Sequence, residues 1–286
     1  MRLFSHRSMV FLGLGLLATG CAAESSDGQI PVSPDSPDAP VLRPLDNGNP
    51  LAGHTSNGLL PLEYQSRRVA LDALLRKPLL VAGEMNPDHA FADFISNDSG
   101  NKVFKYTIEC ALPKGMLYGQ FEGAGLMATT ESWMKFPLDL QQRRDVHTCV
   151  TTRLNPLGEH VDIWLGGPDT AKDVGSGTYG ESEAVWSVDM NTDVFRFYVW
   201  PLETFIAYSV CGHSTTAMLA DVKSRLCDNN GPLCDVVLRT DMATACKGSP
   251  GMGDWVCDNK PAIETRLAER DWDRMHPQCN LGTPIN

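Results

Sequence analysis

The sequence predicts an α+β fold: a single disulfide-stabilised globular domain with mixed strands and two or more helices, preceded by a disordered proline-rich tether. Three observations lead there. Strand-like and helix-like segments follow one another in mixed order with long irregular connections, which fits α+β better than a regular βαβ alternation. Eight cysteines lie beyond residue 100. The stretch before residue 59 is rich in Pro, Ser, Asp, Gly and Asn, a composition that cannot build a core.

The first element, residues 1–20, has a cationic start with Arg2 and Arg7, an apolar run from Met9 to Leu17, and the small residues Ala18, Thr19 and Gly20. These three parts in this order are a signal peptide. The run is too short for a membrane-spanning helix, which needs about 20 apolar residues. Leu17-Ala18-Thr19-Gly20-Cys21 resembles the lipobox of bacterial lipoproteins, with Ala18 where that motif usually carries leucine. The resemblance implies a diacylglycerol on Cys21, a new amino terminus there, and a chain held at a membrane by its lipid. Ala22, in place of the aspartate that retains such proteins in the inner membrane, implies the outer membrane of the cell envelope.

The second element is the tether, 21–58. Pro31, Pro34, Pro37 and Pro40 recur every three residues, the repeat of a polyproline II helix, and such a segment acts as a semi-rigid spacer. The third element, 59–286, is the globular domain, with a cysteine-rich C-terminal third. A helix opens near Pro61 and closes before Pro78, with Leu62, Val69, Leu74 and Leu75 as its apolar set. Strands are read at Val103–Ile108, Met116–Phe121, Val161–Leu165, Val194–Trp200, Phe205–Val210 and Val236–Leu238, from their β-branched and aromatic content. Between the second and third of these, Leu138–Leu154 spaces Leu140, Val146, Val150 and Leu154 as a second helix.

The formal charge is −11, and cleavage of the leader makes the exported part more negative. Such a chain repels phosphate backbones, so nucleic acid is excluded as a partner. Of nine cysteines, setting Cys21 aside leaves Cys110, Cys149, Cys211, Cys227, Cys234, Cys246, Cys257 and Cys279. An even set in an oxidising compartment reads as disulfides. Eight cysteines allow on the order of a hundred pairings. The distribution points to Cys110 with Cys149, across a strand and a helix, and to the other six stitching together the C-terminal third.

Tyr106-Thr107-Ile108-Glu109-Cys110-Ala111-Leu112-Pro113, then Trp133, then Val146-His147-Thr148-Cys149-Val150-Thr151-Thr152-Arg153-Leu154-Asn155 resembles a group of uncharacterised exported proteins of myxobacteria and related lineages. Those share a Y-T-x-x-C-A-L segment and a later C-x-x-x-R-x-N segment. The resemblance spans residues 110–240. It implies secretion and a shared fold and carries over no catalytic residue.

Other motifs are weighed singly. Gly175-Ser176-Gly177-Thr178-Tyr179-Gly180 matches G-x-G-x-x-G but no strand leads into it, so it reads as a glycine loop rather than a dinucleotide site. Cys211-Gly212-His213-Ser214 follows a strand, yet a cysteine nucleophile there would leave one thiol unpaired, and His213 or Ser214 would need a remote acid such as Glu181 or Glu183. Glu159, His160 and Asp162, and again Asp271, Asp273 and His276, supply oxygen donors without EF-hand spacing. Trp164 and Trp200, inside strands, are expected in the core together with most of Trp133, Trp186, Tyr179, Tyr198 and Tyr208. Trp255 and Trp272, in the polar tail, are the candidates for an exposed binding face. No catalytic residue, cofactor or metal ligand emerges. The sequence therefore favours a non-enzymatic envelope domain for binding or structure, with a polysaccharide or protein as ligand. The alternative is an exported hydrolase acting on envelope or extracellular polymers.

Overall fold

Buried positions change their period partway along the chain, from every three or four residues before Thr152 to alternating positions after Val161. The computed structural model describes residues 54–127, 131–158, 161–167, 179–191, 194–202, 205–206, 215–227, 235–250 and 254–276. In chain order these form β1 (His54–Asn57), α1 (Pro61–Gln65), α2 (Arg68–Leu75), β2 (Leu80–Val81), β3 (Glu84–Met85), α3 (His89–Ile95), α4 (Asp98–Ala111), β4 (Leu117–Tyr118), β5 (Phe121–Glu122), α5 (Glu131–Lys135) and α6 (Leu140–Thr152). There follow β6 (Val161–Gly166), β7 (Glu181–Asn191), β8 (Val194–Pro201), α7 (Thr215–Leu226), β9 (Asp235–Leu238), α8 (Met242–Ala245), β10 (Cys246–Lys247), β11 (Val256–Cys257), β12 (Lys260–Pro261), β13 (Ile263–Leu267) and α9 (Glu269–Met275). The fold class is α+β, with helices gathered in the first half and the main sheet in the second.

That sheet has the order β1-β6-β13-β7-β8-β9. Its pairs are antiparallel except β8 with β9, which run parallel because α7 carries the chain across between them. Alternation gives each strand two faces. Ala184, Trp186 and Val188 of β7, with Phe195, Phe197 and Val199 of β8, join the helices in the main core. Val185, Trp200 and Leu202 face the other way, where Trp255, Cys246 and Cys257 of the small β10-β11-β12 sheet cover them. The result is helices, sheet and small sheet in three layers over β7 and β8.

Two disulfides join described cysteines. Cys110 of α4 bonds Cys149 of α6, and Cys246 of β10 bonds Cys257, its register partner on β11. Cys227 is disulfide-bonded to a residue outside the described ones. The Cys110–Cys149 pairing agrees with the sequence expectation, but it joins two helices. Val103–Ile108 is not a strand. Asn97 caps α4 by accepting from the Gly100 amide at 2.9 Å, and Gly100, Val103, Phe104, Thr107, Ile108 and Ala111 bury one helical face. Packing of that stripe overrides the β-branched preference.

Other expectations shift in similar ways. The helix from Pro61 breaks at Ser66–Arg67 into α1 and α2, and its buried set is Pro61, Tyr64, Arg68, Leu71, Asp72, Leu74 and Leu75, while Leu62 and Val69 face solvent. Met116–Phe121 is a tight hairpin of β4 and β5 rather than one strand. Of Phe205–Val210, Phe205 and Ile206 are helical and the rest lie outside the described residues. The strands at 161, 194 and 236 and the helix at 140–152 appear as read. The elements not foreseen include β1, β7, β13, α3, α7, α9 and the small sheet.

Candidate functional site

Among the described residues, three places combine polar or reactive side chains with a buried histidine or a cavity: a buried network in the helical layer, a second at the sheet, and an open cleft beside the second.

The helical network forms because α2 and α6 each turn charged residues inward. Asp72 Oδ1 accepts from Arg143 Nη1 at 2.5 Å, and Asp72 Oδ2 accepts from Arg76 Nη2 at 2.7 Å. His147 is fully buried, with Nδ1 2.8 Å from the Tyr64 hydroxyl and Nε2 3.7 Å from Asp72. Phe195 packs edge-on to its ring. Burial pushes the His147 pKa down and the Tyr64 phenol up. Burial would raise Asp72 as well, but the His147 ring close by and the hydrogen bonds from Arg76 and Arg143 outweigh it and hold the carboxyl well below the usual range. The buried Arg143–Asp72 pair offsets its own desolvation, and Arg76 reaches the same carboxylate from the exposed edge.

The sheet network hangs on a bulge. Arg266 pairs with Ser182 and Thr265 with Ala184, so Glu183 is the extra residue on β7. A bulge re-aims a side chain, and Glu183 points to the same side as Thr265, whose hydroxyl donates to Glu183 Oε2 at 2.8 Å and accepts from Trp186 Nε1 at 2.7 Å. Glu183 pairs with Arg225 of α7, which also donates to the carbonyls of Thr152 and Leu154 and lies over the Trp186 ring. Burial pulls Arg225 down to about 9, still charged at neutral pH. His276, just after α9, has Nδ1 2.7 Å from Asp221 Oδ2 and Nε2 3.3 Å from Glu183 Oε1. Burial lowers its pKa against the pull of Asp221. A histidine between two carboxylates has the parts of a general base. Its ring, however, is only 1 % exposed and is enclosed by Phe205 and Trp272. The network ties α9, α7 and β7 together.

The cleft lies where β8 and β9 end at Pro201 and Leu238, beside the start of α7, and has a volume of about 480 Å3. Leu202, Ile206, Met218 and Met242 supply its apolar lining, with Thr215, Thr240 and Arg239 at its polar edge. Ile206 is 53 % exposed, so the cleft meets solvent. Arg239 is held in place: Nε and Nη2 grip both oxygens of Asp241 at 2.8 and 2.6 Å, and Nη1 reaches Asp258 at 3.1 Å. Those carboxylates, Asp241 foremost, raise its pKa. On α7, Met218 serves the cleft while Asp221 and Arg225, one and two turns on, serve the buried network, so one helix face builds both.

The structure places the sequence-predicted residues as follows. Trp255 and Trp272 are 5 % and 0 % exposed, which corrects the expectation that they face solvent. Trp255 donates to the buried Glu264 at 2.9 Å, and Trp272 packs on Phe205 and His276. Trp133, Trp164, Trp186 and Trp200 are core, as read. Cys21, Cys211, Cys234, Cys279, His213, Ser214, Tyr208, Glu159, His160 and most of the 175–180 glycine motif lie outside the described residues. Asp271 pairs with Arg270 and Arg274, and no group of His, Cys, Asp and Glu among the described residues could hold a metal. Sequence reasoning missed Asp72, Arg143, Arg225 and Arg239; the helical spacing of Met218, Asp221, Val222 and Arg225 was the signal that could have found α7.

No known family, curated protein or solved structure matches the chain. Fold and site together define a class only: a disulfide-stapled α+β domain with an apolar surface cleft.

Proposed function

We propose that this protein is an exported lipoprotein, anchored through Cys21 to the outer membrane, whose folded domain binds a ligand in the cleft between β8, β9 and α7. The observation that carries the reading is the cleft: a solvent-open concavity of about 480 Å3, within the roughly 300–1,000 Å3 typical of small-molecule sites. Binding is favoured over hydrolysis because the two described clusters that could supply a base, His147 with Asp72 and His276 with Glu183 and Asp221, are closed off around buried rings. Export is supported by the leader at residues 1–20, and also by the Cys110–Cys149 and Cys246–Cys257 disulfides, since such bonds persist in oxidising compartments.

The test is mass spectrometry of the protein taken from its own envelope without reduction, after alkylation of free thiols. The expected denatured mass lacks residues 1–20, carries acyl chains and takes no alkyl label. The expected native mass carries an additional small molecule that leaves on unfolding. A chain without acyl chains overturns the anchor. A native mass equal to the denatured one, in a protein that then takes up no ligand, overturns the binding role.

A further inference from the structure

The chemistry lining the cleft selects its occupant, and resting on the binding role above, we propose that the cleft takes an uncharged aliphatic chain, such as that of a long-chain alcohol or ester. The floor and walls are saturated carbon from Leu202, Ile206, Met218 and Met242. No aromatic ring is among the described lining residues, so a sugar finds no face to stack on there. Unbranched methionines adapt to a flexible partner better than to a rigid one.

Charge decides the rest. Arg239 would be the natural anchor for an anionic head, but its guanidinium is gripped at both edges by Asp241 and Asp258. Among the described residues, one cation between two carboxylates leaves a surplus of one negative charge. The start of α7, at Thr215, offsets roughly half an elementary charge of it. A carboxylate or phosphate head therefore gains nothing at this mouth, and the net charge of −11 adds long-range repulsion. A hydroxyl or ester end meets the hydroxyls of Thr215 and Thr240, neutral groups that donate and accept.

The experiment uses the exported chain, residues 21–286 with Cys21→Ser, which carries neither leader nor lipid and so needs no detergent, titrated calorimetrically with octanol, decanol and dodecanol and with the matching fatty acids at pH 7.5. Saturable one-to-one binding is expected, tightening about fourfold per added methylene until the cleft is full. Each alcohol should bind more tightly than its acid. Ile206→Glu, at an exposed position that the fold tolerates, should weaken the alcohols at least tenfold, and Ile206→Leu should restore them. Acids that bind as well as alcohols, an affinity indifferent to chain length, or full binding by Ile206→Glu overturns the aliphatic assignment. If the alcohols fail while the native mass still shows a bound molecule, the ligand class alone is wrong. If both fail, the binding role falls with it.

Discussion

Between pH 7.5 and 5 two imidazoles among the described residues, His147 and His276, weaken the fold as acid is added, both buried and both pushed below the ordinary histidine pKa by that burial. Their pKa is about 6.5 in an unfolded chain. As pH falls past that value the unfolded state takes up two protons that the native state refuses, so stability is full above about 6.5 and drains away below it. Once pH lies under the native values the loss stops growing. Asp72 acts in a separate, more acid window: its native pKa is depressed, so its contribution is present above about 3.9 and is lost as pH drops further. Urea unfolding should accordingly give a lower midpoint at pH 5 than at pH 7.5, with net proton uptake on unfolding at pH 6. A midpoint that held steady or rose would mean that the rings are already protonated in the fold, with Asp72, Asp221 and Glu183 overcoming desolvation. None of this was legible in the sequence. His147 appeared there only inside a resemblance and His276 only as a weak metal candidate, because burial depends on which residues pack from far along the chain.

Helices α3 and α4 meet where Gly100, in the first turn of α4, lies against the carbonyl of Phe94. A Cβ at position 100 would run into that backbone oxygen, and a backbone atom cannot swing aside as a side chain can. Gly100→Ala gains about 1 kcal/mol of helix propensity and loses more, since overpacking against fixed atoms costs typically 1–3 kcal/mol and sometimes more. A net loss of about 2 kcal/mol is expected in the urea midpoint, whereas Gly180→Ala, with open space around it, should stay within about 0.5 kcal/mol of the parent. A neutral Gly100→Ala would mean that α3 and α4 are free to separate. The same helix shows why reading elements from composition fails. Val103, Thr107 and Ile108 are β-branched, and on that ground the segment reads as a strand, yet with Phe104 and Ala111 they repeat at three and four residues, and the repeat is what the structure uses. Strands whose neighbours happen to be branched and aromatic, at 161, 194 and 236, came out correctly. β7 did not, because Ser182, Glu183 and Ser187 make it look polar when in fact both of its faces are covered.

Across the whole molecule the cleft was the least legible feature, since it needs Leu202, just past β8, brought together with Met218 of α7 and Met242 of α8. The covalent framework was the most legible, because an even count of cysteines survives any packing error. The two described disulfides differ in place and in what they restrain. Cys110–Cys149 clamps α4 to α6 inside the helical layer, both residues being fully buried, and closes a separation of 39 residues; Cys246–Cys257 staples two neighbouring strands of the outer small sheet, with Cys246 8 % exposed, and closes only 11. On the chain-entropy account the first stabilises by about 4 kcal/mol and the second by about 3. A thiolate must reach a sulfur to open either bond, so mild reductant acting on the native protein should open Cys246–Cys257 first. Timed alkylation and peptide mapping would show label on those two residues while Cys110 and Cys149 stay closed. In the same order, Cys246→Ser with Cys257→Ser should lower the urea midpoint modestly, whereas Cys110→Ala with Cys149→Ala should lower it further, because it also leaves a gap between two buried helices. Should Cys110–Cys149 open as early as the outer bond, the helical layer must separate from the sheet before the molecule unfolds, and the three layers would not unfold as one cooperative unit.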